Sequence, residues 1–76
     1  MKKEYLKIDK VVGPLIQVSE VDDVFYGESV DIFDISSGKI KKGKVIKIEA
    51  ENVVIQVFQN TTGLAAGNSI IKFTGE

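Results

Sequence analysis

The sequence predicts an all-β protein, a small closed six-stranded antiparallel barrel of Greek-key-like form, on three observations. Isoleucine and valine recur in short runs bounded by Gly, Asn, Asp and Ser, the pattern of many short strands. No segment sustains the 3.6-residue period of an amphipathic helix. Finally, a chain of 76 residues cannot leave two long sheet edges unpaired without inviting aggregation, so closure is the expected solution.

The first strand is expected in "YLKIDKVV", where Leu6, Ile8 and Val12 share one parity, as the alternation of a strand requires. Gly13-Pro14 interrupts the ladder, because proline has no N–H to donate. "LIQVSEV" then resumes with Ile16 and Val18 inward. "DDVFYGE" is a loop, with Val24 and Tyr26 available to plug one end of the core. "SVDIFDI" turns Val30 and Ile32 inward and, through the turn signal "SSGK" at Ser36 to Lys39, forms a hairpin with "KIKKGKVIKIEA". Gly43, in the middle of that second strand, is expected to mark a sharp bend or bulge. "AEN" leads into "VVIQVFQ", where Val53, Ile55 and Val57 share one face and Val54 and Phe58 the other. "NSIIKFT", with Ile71 and Phe73 inward, is the sixth strand.

Length and composition narrow the function. Residues 1–76 make one small domain, and a domain of this size buries only about 60% of the surface its unfolded chain exposes. There is no cysteine and no histidine. Disulfides, thiolate chemistry, most zinc sites and His-based acid–base catalysis are thereby excluded. All ten basic residues are lysines, set against eleven acids for a net charge of −1, so no arginine fork exists to grip phosphate or guanine. No apolar run approaches the roughly 20 residues of a membrane span. The opening "MKKEYLKIDK" lacks the apolar stretch of a secretory signal, which points to a cytoplasmic location. The sequon "NTT" at Asn60 to Thr62 reads as a turn.

Three constellations could carry chemistry. "GLAAGNS", Gly63 to Ser69, has the outline of a phosphate loop, but three residues separate its glycines and Asn68 stands where the lysine is needed. The residues after it read as a strand, without the helix N-terminus that would bind the anion. Lys39, Lys41, Lys42, Lys44 and Lys47 could form a strip that tracks a nucleic-acid backbone, although no aromatic residue is interleaved for base stacking. Glu20, Asp22 and Asp23 offer oxygen ligands at a spacing that matches no calcium loop. No nucleophile lies beside a base at a catalytic spacing. No catalytic, cofactor-binding or metal-ligating residue is therefore expected, and the chain is read as having no enzyme activity of its own. Val54 and Phe58 are the candidate contact residues, because an apolar outer face on β-structure usually has a cover: here a neighbouring barrel or a following domain.

"YLKIDKVVGPLIQV", "VFYGESVDI", "GKIKKGKVIKI", "VVIQVFQNTTGL" and "NSIIKFTGE" together resemble, in order and spacing and over essentially the whole chain, the N-terminal β-barrel of the B subunit, the non-catalytic nucleotide-binding subunit of A-type and V-type rotary ATPases. The Val-Gly-Pro-Leu step at Val12 to Leu15, Tyr26-Gly27-Glu28, Thr62-Gly63 and the closing Phe-Thr-Gly-Glu carry the resemblance, while "GLAAGNS" is smaller and less charged than the family leads one to expect. The resemblance implies a fragment of a longer subunit that stops where the nucleotide-binding domain begins. It implies a place in a hexamer of alternating catalytic A and non-catalytic B subunits, whose barrels join into a crown at the end away from the membrane. That machine couples ATP hydrolysis or synthesis to proton or sodium transport. The domain would then be cytoplasmic and peripheral to the membrane, without cofactor, nucleic acid or direct membrane contact. The alternative is a free-standing small barrel that binds single-stranded nucleic acid through the lysine strip.

Overall fold

The computed structural model describes the backbone of Lys3–Tyr5 and, with side chains, residues 8–58 and 69–76. Among the described residues there are seven strands: β1 (Lys3–Tyr5), β2 (Lys10–Val12), β3 (Leu15–Val18), β4 (Ser29–Asp34), β5 (Ile40–Glu49), β6 (Asn52–Val57) and β7 (Ser69–Phe73). All pair antiparallel in one sheet of order β1-β7-β4-β5-β6-β3-β2. The segment β7-β4-β5-β6 is a Greek key, three strands in succession with a fourth returning beside the first.

The expected first strand is two. β1 pairs with β7 and β2 with β3, and no single straight strand can serve both edges. Closure is correspondingly looser than a closed barrel: among the described residues no ladder joins β1 to β2. The sheet curls into an open barrel, with β1 and β2 at its two edges. The change of partner also shifts the alternation. Ile8 is buried, but Val11, not Val12, packs against the core, and Val12 is 55% exposed. Val12 and Leu15 face each other across a two-residue hairpin in which Gly13, at φ 56, takes the first central position, where a II′ turn wants glycine.

The remaining inward sets match the alternation. Ile16, Val18, Val30, Ile32, Val45, Val53, Ile55, Val57, Ile71 and Phe73 are all buried. Val24 packs against this core as expected. Tyr26 does not plug it. It is 62% exposed, and its Oη accepts a hydrogen bond from the Ile48 N–H at 3.3 Å. Gly43 marks a close approach: a Cβ there would lie 2.5 Å from the Gln56 carbonyl oxygen. The bulge falls further along β5, between Val45 and Lys47.

The β4–β5 loop is closed by Asp34. Its carboxylate accepts from Ser36 N–H at 3.0 Å and Ser36 Oγ at 2.8 Å, and its backbone pairs with Gly38 and Lys39. The Ser36 hydroxyl, more than any other group, holds the Asp34 carboxyl below its ordinary 3.8. A depressed folded-state pKa contributes stability that is complete above the unfolded value and lost as pH falls through the folded one. Urea midpoints of the wild-type chain are therefore expected to decline below about pH 4 more steeply than those of Asp34→Asn, which has no proton to gain.

Candidate assembly surface

With the interior filled by one face of the sheet, any contact must be made by the other. Its outward residues stand in cross-strand rows set by the register. One row is Ile40, Phe33 and Ile70 on β5, β4 and β7. Next to it run Lys42, Asp31 and Lys72, the Lys42 Nζ lying 2.7 Å from an Asp31 carboxylate oxygen. On the other half of the sheet Val12, Leu15 and Val54 line a shallow groove with Lys10 and Gln17.

The two residues predicted as one contact are thus separated. Val54 is half-buried on β6 in the groove with Val12 and Leu15. Phe58 lies just past the end of β6 and is 62% exposed. Its N–H donates to the Lys42 carbonyl at 2.9 Å, and its side chain lines a different groove, shared with Lys42, Thr74 and Glu76. Equal parity places both on the outer face, but the curl of the sheet turns them apart. Sequence reasoning missed the Ile40–Phe33–Ile70 row. Its signal is present in Phe33, an apolar residue whose strand neighbours Ile32 and Asp34 take the buried parity.

The lysine strip is not continuous. Lys42 and Lys44 point outward, Lys41 opposes the buried Ile32 on the inward parity, and Lys47 lies beyond the bulge, 3.5 Å from Glu49. Its charge is distributed over two faces and partly offset by Asp31 and Glu49. Glu20, Asp22 and Asp23 are exposed around the buried Val21, whose N–H donates to the Glu51 carbonyl. Among the described residues no three His, Cys, Asp or Glu side chains gather as metal ligands. Residues 63–68 of "GLAAGNS" lie outside the described residues, while Ser69 opens β7.

Two of the motifs singled out in the sequence meet in space. Glu28 is only 2% exposed, although it carries a carboxylate. One carboxylate oxygen accepts from the Phe25 N–H at 3.1 Å and the other from the Gly75 N–H at 2.9 Å. Around it Ser29 N–H donates to the Glu76 carbonyl at 2.7 Å, and Thr74 Oγ1 donates to the Ser29 carbonyl at 2.9 Å. The Tyr-Gly-Glu loop and the Phe-Thr-Gly-Glu end are therefore a single clasp, built on a charge-assisted pair of hydrogen bonds.

The sequence model of the ATP synthase alpha/beta family, beta-barrel domain, matches residues 8–75 of this chain. The chain belongs to that family. The resemblance to the B subunit of rotary ATPases also holds over the full chain. It is 49% identical over 76 residues to the V-type ATP synthase beta chain 2 of Clostridium tetani, and 43% identical over 76 residues to the B subunit of the A-type ATP synthase of Methanothrix thermoacetophila. All of this chain aligns in both cases, and it spans 16% of the length of each relative. Among the described residues of this family barrel no helix is long and apolar enough to cross a membrane.

Proposed function

We propose that this family member is the opening barrel of a longer B subunit and that it serves assembly: it links alternating A and B subunits into the crown of a rotary ATPase hexamer and binds no nucleotide itself. It acts on the cytoplasmic side, peripheral to the membrane. The observation that carries this reading is the pair of apolar patches on different halves of the outer face. A barrel in a ring has two different neighbours and needs two different surfaces, because head-to-tail contacts are heterologous. The row Ile40–Phe33–Ile70 and the groove of Val12, Leu15 and Val54 supply two such surfaces, each edged by charged side chains as interface rims are.

Val12 and Ile40 are both exposed, so Val12→Glu and Ile40→Glu are expected to leave the barrel folded by circular dichroism. Each places a charge where an apolar contact is needed, and burying one such side chain is worth about 1.5–3 kcal/mol. In the full-length subunit mixed with its catalytic partner, native mass spectrometry is expected to show the hexamer depleted for either variant. Full hexamer formation by both variants would reject the reading.

A further inference from the structure

We infer that Phe58 belongs to a third surface, a seat for the stretch of chain that follows Glu76 in the longer subunit, with Glu28 as the positioning residue that aims the chain into it. This rests on the reading of the barrel as the opening domain of a B subunit. The groove holds about 430 Å³, and Phe58, Thr74, Glu76, Asp31, Lys42 and Gly43 are among the residues that line it. Neither Val54 nor any residue of the Ile40–Phe33–Ile70 row lines it.

Its position decides the occupant. Thr74, Gly75 and Glu76 are each fastened at the edge of the groove: Thr74 and Glu76 to Ser29, and Gly75 to the Glu28 carboxylate. Gly75 adopts φ 85, which redirects the backbone as other residues do only under strain. Continuing chain leaves from the wall of the groove, so it reaches Phe58 before any separate molecule can. The seat suits an extended segment with one apolar side chain set against the Phe58 ring and polar backbone over the Lys42–Asp31 pair. Phe58 is presented firmly, because its own N–H is bonded to β5.

Hydroxyl-radical footprinting read by mass spectrometry separates the possible occupants. Oxidation of Phe58 and Val12 is compared in the 76-residue chain, in the purified full-length subunit alone, and in the assembled hexamer. Expected is a several-fold fall at Phe58 in the full-length subunit alone, with no further fall on assembly, while Val12 falls only on assembly. A fall at Phe58 only on assembly gives the seat to a neighbouring subunit and overturns the inference, leaving the assembly reading intact. Equal reactivity of Phe58 in all three states overturns it as well. A Val12 that stays reactive in the hexamer counts against the lateral contact alone. In the full-length subunit Glu28→Gln, which keeps one acceptor oxygen and loses the other, is expected to restore much of the Phe58 oxidation while amide exchange at the buried Ile32 and Ile55 rises by no more than its loss of global stability accounts for. Unaltered Phe58 oxidation in that variant removes Glu28 from the positioning role.

Discussion

Gly43→Ala is expected to be among the most damaging single-methyl changes in this protein. The added Cβ would sit 2.5 Å from the Gln56 carbonyl oxygen and 3.1 Å from Ile55 Cγ2. The first of these neighbours is backbone and cannot swing aside as a side chain would. Relief requires β5 and β6 to separate where they carry buried Val45, Ile55 and Val57. Overpacking of this kind costs about 1–3 kcal/mol and at times more. Against a total stability of roughly 0.05–0.15 kcal/mol per residue, that is a large share. Gly38→Ala is the control: Gly38 has φ 74 but nothing within 4 Å of its would-be Cβ, so it suffers backbone strain alone. Urea denaturation should place the Gly43→Ala midpoint clearly below that of Gly38→Ala. The reverse order would mean that the strands give way easily at this point.

Glu28→Ala is the second large effect. The substitution removes both acceptors of the clasp, from Phe25 N–H and from Gly75 N–H, and hydrogen bonds to a charged group contribute about 1.5–3 kcal/mol. Glu28→Gln keeps one carbonyl oxygen and is expected to lose less. The loss should be local as well as global. Exchange of the Gly75 amide should accelerate in Glu28→Ala by more than the change in global stability accounts for, because the Ser29–Glu76 and Thr74–Ser29 bonds depend on the same end being held. Gly75 exchange that tracks global unfolding in both proteins would show that Glu28 fills space without fastening anything.

Whatever depends on alternation is legible in the letters. The inward residues of β3, β4, β6 and β7 follow from a period of two, and the β4–β5 hairpin follows from the Gly38 turn. Alternation fails where the chain changes partner, which is why it puts Val12 inside and runs the first two strands together. Tyr26 suggests a core residue because an aromatic ring is a large apolar body, yet an open N–H at Ile48 gives its hydroxyl a partner outside. The role of Glu28 could not be found from sequence, since nothing near it in the chain announces that its carboxylate will meet Gly75. The candidate contact residues are legible as outward-facing but not as belonging to different grooves. Grooves are made by curvature, and a pattern of residue types records which side of a strand is wet without recording how the sheet bends.

The strand order has a kinetic consequence. β4, β5 and β6 are neighbours in the chain as well as in the sheet, and a hairpin forms in about 1–10 μs. β1 must find β7 across almost the entire length of the polypeptide, Lys3 opposite Phe73, and the entropy of closing so long a loop is lost before any contact offsets it. The three-strand meander is the natural nucleus. Substitutions that weaken it should slow refolding, whereas those at Glu28, which acts only once the last strand is home, should chiefly speed unfolding. The barrel is zipped from its middle, and the two termini that meet at its margin are the last to be knitted in and the first to come undone.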